Sequence, residues 1–135
     1  VLAVRGKGNM FNRRVIETLK IHYIVSVEVE EKRDKLKQRD SGLNHVVAKL
    51  AKKNNIAIVI NLSEIKLLSP EEKSIRLARL MQNIKVCRRA KCELKIANLA
   101  TNKKEISNKK ERVAFGTSLG MSTEQTRDSA NFKKV

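Results

Sequence analysis

The run IAIVINL, residues 56 to 62, narrows the possible folds more than any other part of the sequence. It is almost continuously apolar and rich in β-branched residues, which is typical of a strand that helices bury on both faces. Amphipathic helical patterns flank it, RDSGLNHVVAKLAKKNN before it and SPEEKSIRLARLMQNIKVCRRAK after it. A buried strand between two helices predicts an α/β protein with a parallel sheet.

The same alternation continues on both sides of this run. Further strands are predicted at VLAV (1–4), IHYIVSVEV (21–29) and ELKIANLA (93–100), and further helices at FNRRVIETL, KKERVAFGTSLG and MSTEQTRDSANF. The charged stretch EEKRDKLKQR, residues 30 to 39, is predicted to be a solvated loop. Without an internal repeat or a linker, residues 1 to 135 are expected to form one domain. The sequence opens inside an apolar run without an initiating Met, so we expect an N-terminal segment to be missing.

The charge of the chain is strongly positive, with 30 Lys and Arg against 14 Asp and Glu, a net charge of +16. Such a field attracts polyanions, so the candidate partners are nucleic acid, an anionic membrane or an acidic protein. No apolar run reaches the roughly 18 residues of a membrane span, and no signal peptide is recognisable, which favours a cytoplasmic protein. Aromatic residues make up only 3%, so the chain has many Lys and Arg side chains for phosphate contacts but few rings for base stacking.

The helical segment at residues 39 to 55 has two faces. Its apolar positions follow helical spacing and predict a core-facing stripe of Leu43, Val46, Val47, Leu50 and Ala51. On the opposite side, His45, Lys49 and Lys52 are spaced to present together toward a phosphate backbone, although an ordinary solvated face explains the spacing as well. Asp40 or Ser41 is predicted to cap this helix.

Other arginines form two further basic groups. Arg76 and Arg79 lie one turn apart and predict a basic ridge along the long helix. Ser69 is predicted to cap this helix, with Pro70 at its first position. Arg5 and Arg13 lie near the turn RGKG, whose glycines lack the full dinucleotide-binding pattern, so no cofactor is predicted. For Arg76 and Arg79 the alternative is a solvated face.

Residues that could carry catalysis are few. Glu28 and Glu64 lie near the C-terminal ends of two predicted strands, where α/β barrels keep their active sites. Pairing with neighbouring lysines is the favoured explanation over acid–base catalysis. Two cysteines, Cys87 and Cys92, and two well-separated histidines are too few for a zinc site, so no metal is predicted.

The segment RDSGLNHVVAKLAKKNNIAIVINLSEI, residues 39 to 65, resembles the signature block of RNase P protein component 3, the archaeal counterpart of a eukaryotic nuclear RNase P subunit. VLAVRGKGNMFNRRVIET is similar to the strand, glycine turn and N-R motif of that family. RLARLMQNIKVCRRAK and VAFGTSLGMSTEQTRDS are similar to its long helix and its closing helix. The resemblance extends over essentially the whole chain and corresponds to the C-terminal two-thirds of the family's length.

The resemblance implies a TIM-barrel-like α/β fold, here a partial barrel, and a subunit that is not itself catalytic. In RNase P the RNA removes the 5′ leader of precursor tRNA, and components 2 and 3 together support that RNA. The predicted partners are RNase P RNA, component 2 and, indirectly, precursor tRNA, with no membrane and no cofactor. The predicted RNA-binding residues are Arg5, Arg13, Arg39, His45, Lys49, Lys52, Arg76 and Arg79. The alternatives are a metal-dependent phosphoesterase of barrel type and a pure protein-interaction scaffold.

Overall fold

A computed structural model describes residues 2–29, 41–99 and 109–129. Within these residues the strands are β1 (Ala3–Arg5), β2 (Tyr23–Val25), β3 (Ala57–Asn61) and β4 (Leu94–Ala97). The helices are α1 (Asn9–Thr18), α2 (His45–Lys53), α3 (Leu62–Lys66), α4 (Pro70–Ala90), α5 (Lys109–Ser118) and α6 (Thr123–Ser129). None of the helices in the described ranges is long and apolar enough to cross a membrane.

The strands form one parallel sheet in the order β1-β2-β3-β4, with α1, α2 and α4 in the connections between them. Ile58 of β3 lies beside Ile24 of β2 on one side and Leu94 of β4 on the other. Since parallel neighbours need such crossover connections, the helices cover the sheet and bury it. The predicted α/β class and the parallel sheet are confirmed.

The sheet has two faces because successive side chains of a strand point to opposite sides. Ile24, Ile58 and Ile96 lie on the face that packs against the helices, and each is almost fully buried. Tyr23 and Val59 belong to a smaller apolar cluster on the other face, together with Ala57 and Ala97. The first cluster is the main core and holds α1, α2 and α4 against the sheet.

The start of α2 differs from the prediction. The helix begins at His45 and is capped by Asn44, whose side-chain oxygen accepts a hydrogen bond from the backbone N–H of Val47 at 2.9 Å. The prediction of a cap at Asp40 or Ser41 is therefore wrong, because Ser41 donates its hydroxyl to the carbonyl of Leu43 at 3.1 Å and Asp40 lies outside the described residues.

The predicted apolar stripe of this helix is only partly correct. Leu43, Val47 and Ala51 are buried, but Val46 is 54% exposed and Ala48 is fully buried in its place. With the helix beginning at His45, its buried side turns toward Val47, Ala48 and Ala51. Val46 therefore belongs to the outward face, beside the lysines.

Two further findings concern the start of the long helix α4 and the short helix α3 before it. Ser69 caps α4, accepting from the backbone N–H of Glu72 at 3.3 Å, and Pro70 is the first helical residue, as predicted. The short helix α3 was not predicted, because the sequence LSEIK is too short for helical periodicity. Since α3 follows β3 directly, it carries Glu64 over the C-terminal edge of the sheet.

Candidate nucleic-acid interface

The outward face of α2 carries the predicted basic group. His45, Lys49 and Lys52 are all exposed, and their i, i+4, i+7 spacing aligns them along about two turns of the helix. The neighbouring helix α1 contributes Arg13, which is exposed and forms an ion pair of 2.8 Å with Glu17. Arg39, the remaining predicted residue near this helix, lies outside the described residues.

Asparagine side chains hold the loop that leads into α2. Asn12 of α1 is fully buried and donates to the carbonyls of Val27 at 3.0 Å and Gly42 at 2.8 Å, while it accepts from the backbone N–H of Lys7 at 2.9 Å. Asn83 of α4 donates to the carbonyl of Ser41 at 3.0 Å. The direction of α2, and with it the position of His45, is thus set from both neighbouring helices.

Gly42 is required in this loop by both conformation and space. Its φ is +77°, and a Cβ placed there would lie 1.8 Å from the carbonyl oxygen of Val27. No residue with a side chain fits at that distance, and the left-handed backbone also favours glycine. The close approach lets Asn12 reach the carbonyl of Gly42.

A second charged group lies at the C-terminal edge of the sheet. Arg5, the last residue of β1, binds Glu64 with both terminal guanidinium nitrogens, at 2.8 and 2.7 Å. Arg76 donates to the same carboxylate at 3.2 Å and to Glu28 at 2.8 Å. The hydroxyl of Ser26 completes the arrangement with a hydrogen bond of 3.1 Å to Glu64. We call these five residues the rim cluster.

The rim cluster changes the interpretation of the long helix. Arg76 and Arg79 are buried, and Arg79 donates to the backbone carbonyl of Glu28 at 2.9 Å. The predicted basic ridge on the surface is therefore wrong for these two residues, and so is the alternative of a solvated face. Arg76 turns inward because the buried carboxylate of Glu28 needs a cationic partner, and Arg79 turns inward to the backbone carbonyl of the same residue. Their contact with RNA stays a prediction.

The favoured explanation for the two glutamates, pairing with cations, agrees with this geometry, although their partners are arginines and not the expected lysines. Burial by itself raises the pKa of Glu64, but the hydrogen bond and charge of Arg5 and the charge of Arg76 outweigh it and hold that pKa below its usual value. The hydrogen bond to Glu64 likewise raises the pKa of Arg5. Glu64 is therefore ionised at neutral pH and serves as an anionic bridge.

The two cysteines are buried free thiols at the junction between α4 and β4. The backbone N–H of Cys92 donates to the carbonyl of Cys87 at 3.0 Å and closes the end of the helix. The hydrogen bond with Cys92 and burial both raise the pKa of Cys87. Within the described ranges, no three His, Cys, Asp or Glu residues are grouped closely enough to hold a metal ion.

Two groups thus contain seven of the eight predicted RNA-binding residues. Arg13, His45, Lys49 and Lys52 lie on the outward surface of α1 and α2, whereas Arg5, Arg76 and Arg79 lie at the strand edge. Sequence reasoning missed Asn12, Asn83 and Ser26, which neither charge nor periodicity singles out. The segment RGKGNMFNRR, which contains Asn12, was the sole sequence signal for that position, through its likeness to a family motif.

Comparison with known proteins finds similarity both in sequence and in fold. The chain is 26% identical over 132 residues to Ribonuclease P protein component 3 of Thermococcus gammatolerans, an alignment that covers 98% of this chain. A chain in the cryo-EM structure of archaeal Ribonuclease P with mature tRNA matches with a TM-score of 0.77 and 23% identity, over 95% of this chain. A comparison with family models gave no match.

The sequence likeness agrees with the resemblance to RNase P protein component 3, and the structural match shows a similar fold. The four parallel strands and their helices agree with the partial TIM-barrel-like fold that the sequence predicted for that family. This chain spans 58% of the length of the curated component 3 relative and 52% of the matched structural chain.

Proposed function

We propose that the chain is a non-catalytic protein subunit of ribonuclease P, which binds RNase P RNA and supports its cleavage of the 5′ leader of precursor tRNA. The observation that carries this proposal is the likeness to component 3 over 98% of the chain, joined to a net charge of +16. A strongly basic protein with few aromatic residues is suited to phosphate contacts.

The surface proposed to contact RNA is the outward face of α1 and α2, with Arg13, His45, Lys49 and Lys52. These side chains are exposed, and the two helices that carry them contact each other. The loop before α2 is anchored by Asn12, which reduces the motion of that helix relative to α1. Such contacts position an RNA by its backbone and shape, without reading its sequence.

A non-catalytic role is supported by the ion pairs of the two glutamates near the C-terminal ends of the strands. The carboxylates of Glu28 and Glu64, which a barrel enzyme would use for acid–base chemistry, are bound by Arg5 and Arg76. The carboxylate of Glu64, which Arg5 and Arg76 hold ionised, is a poor proton donor near neutral pH. We therefore infer that these glutamates stabilise the fold, and that the RNA of the complex performs the cleavage.

The partner protein proposed for the assembly is RNase P component 2, which the family pairs with component 3. The matched structural chain belongs to a complex of archaeal Ribonuclease P with mature tRNA, which supports a role among both RNA and protein partners. We place this protein in the cytoplasm as a proposal that follows from tRNA processing.

The test is a reconstitution with a matched control. RNase P RNA and component 2 are mixed with wild-type chain, with a His45→Ala, Lys49→Ala, Lys52→Ala variant, or with a Lys109→Ala, Lys110→Ala variant. The control also removes two exposed lysines, but from α5. Leader cleavage and RNA affinity are followed at 50 and 200 mM salt, with folding checked by circular dichroism.

We expect the α2 variant to lose stimulation of cleavage and to flatten the salt dependence of RNA affinity by about two units of slope, one for each lost lysine contact. The α5 control should behave like the wild type. Equal behaviour of both variants would refute the surface assignment. Binding of component 2 without salt-dependent RNA affinity would instead identify a protein-interaction scaffold.

A further inference from the structure

The geometry of the rim cluster points to a phosphate-binding site that Glu64 occupies in the free protein. We propose that the donors now bound to the Glu64 carboxylate form a cradle for a backbone phosphate of RNA, and that Glu64 acts as an internal competitor for that phosphate. This inference rests on the proposed function and adds to it a regulatory contact and a second RNA-binding position.

Four hydrogen-bond donors from three different elements converge on one carboxylate. They are the two terminal nitrogens of Arg5 at 2.8 and 2.7 Å, a terminal nitrogen of Arg76 at 3.2 Å and the hydroxyl of Ser26 at 3.1 Å. A guanidinium that binds end-on with two parallel hydrogen bonds presents the geometry that suits a phosphate as well as a carboxylate. We call this set of donors the cradle.

The backbone conformation of Ser26 places its hydroxyl beside the Glu64 carboxylate. Ser26 follows β2 directly and has a φ of +57°, the left-handed region that a serine rarely adopts. Its backbone N–H donates to the carbonyl of Val59 at 3.0 Å, which fixes the residue against β3. An unfavourable conformation at a non-glycine residue persists where the surroundings hold it and is a common feature of binding sites.

Glu64 is the member of the cluster that can leave. Its side chain is 20% exposed, whereas that of Glu28 is 1% exposed. Arg76 lies closer to Glu28, at 2.8 Å, than to Glu64, at 3.2 Å, and so keeps an anionic partner when Glu64 moves. Arg5 has a side chain that is 57% exposed, which opens the cradle to a ligand from solvent.

The local charge favours an anion once the carboxylate is displaced. Arg5, Arg76 and Arg79 carry three positive charges and Glu28 carries one negative charge, which leaves a net charge of +2 for these residues without Glu64. A phosphate diester brings one negative charge, so it replaces the carboxylate without changing the charge balance. The competition between the two anions makes the affinity of this site depend on Glu64.

The experiment measures binding of fluorescent RNase P RNA at 50 and 200 mM salt by the wild-type chain, Glu64→Gln and Glu93→Gln. Glu93 is an exposed glutamate before β4, at the opposite end of the parallel strands, so its change raises the net charge equally. We expect Glu64→Gln to bind more tightly at 50 mM than either other protein. Raising the salt from 50 to 200 mM should lower its affinity by an additional factor of about three compared with the other two proteins. This extra loss is the effect of about one added phosphate contact.

Two further variants and a second ligand keep the test decisive. The double variant Arg5→Gln, Glu64→Gln should lose the tighter RNA binding of Glu64→Gln. Arg5→Gln alone should lower the RNA affinity of the wild-type chain. This single variant serves as the test if Glu64→Gln does not fold. Thermal unfolding in inorganic phosphate should show greater stabilisation of Glu64→Gln than of Glu93→Gln. This arm detects the cradle without any RNA.

Each outcome separates the inference from the function on which it rests. Equal RNA binding by Glu64→Gln and Glu93→Gln, or weaker binding by Glu64→Gln, overturns the inference and leaves the proposed function standing. Absence of RNA binding by all proteins refutes the proposed function and the RNA part of the inference. In that case, selective stabilisation of Glu64→Gln by inorganic phosphate would identify the cradle as a site for free phosphate.

Discussion

Replacement of Asn12 by alanine is predicted to destabilise the chain strongly, although the change removes no charge and only the side-chain amide group. Asn12 is fully buried in α1, and its amide group joins the loop after β1 to two parts of the connection between β2 and α2. It accepts from Lys7 in the loop after β1 and donates to Val27 and Gly42 in the segments that precede α2. The side chain therefore links parts of the chain up to 30 residues apart.

The expected magnitude follows from these contacts. A net contribution of about 1 kcal/mol for each of three hydrogen bonds gives a loss of about 3 kcal/mol in the free energy of unfolding. The carbonyls of Val27 and Gly42 belong to buried residues and lose their partner, which keeps the loss from being smaller. A domain of this kind has a total stability of about 5 to 15 kcal/mol, so the change removes a substantial fraction of it.

Urea unfolding measured by circular dichroism tests the estimate, with Asn54→Ala as the matched control. Asn54 makes a single side-chain hydrogen bond of 2.8 Å, to the carbonyl of Ile16, near the surface, so its loss should be about 1 kcal/mol. Equal effects of the two substitutions, or a loss below about 1 kcal/mol for Asn12→Ala, would refute the reasoning that Asn12 organises the loops.

Two more predictions concern titration and backbone conformation. Because the folded pKa of Glu64 is lowered, its contribution to stability is present above its unfolded pKa and is lost as the pH falls through the folded pKa. Urea midpoints between pH 3 and 7 should therefore show an acid-side loss that is smaller in Glu64→Gln, and identical profiles would contradict this prediction. Gly42→Ala should unfold the loop or destabilise the chain by more than about 3 kcal/mol, since a Cβ would meet the carbonyl of Val27. Gly120→Ala should lower the stability by about 1 kcal/mol through backbone strain alone, because Gly120 has a φ of +99° and open space around it. Equal melting temperatures of Gly42→Ala and Gly120→Ala would contradict the prediction that a clash with Val27 destabilises the first variant.

The alternation of strands and helices followed from local patterns. The apolar run at Ile56 to Leu62 and the helical spacing around it identified a buried strand between two helices, because burial on both faces leaves no polar alternation. Ser69 and Pro70 marked the start of α4 correctly, since a helix cap is a local interaction within one turn. Such features depend on neighbouring residues and are readable without the fold.

The beginning of α2 was misjudged for a related reason. Asp40, Ser41 and Asn44 all have side chains that cap helices, so composition alone offers several starts. The choice of Asn44 depends on the contacts that hold Ser41 and Gly42 in the preceding loop, through Asn83 and other residues distant in sequence. A tertiary anchor thus selected one of several equivalent local signals.

By itself the sequence determined the α/β class, the strong positive charge, the exposed basic face of α2 and the likeness to RNase P component 3. The tertiary structure alone decided that Arg76 and Arg79 turn inward, although their spacing equals that of a solvated ridge. The physical reason is that helical spacing defines which residues share a face and leaves open what that face meets. Here it meets the buried Glu28, carried on a turn 48 residues from Arg76, and a buried carboxylate requires cationic partners.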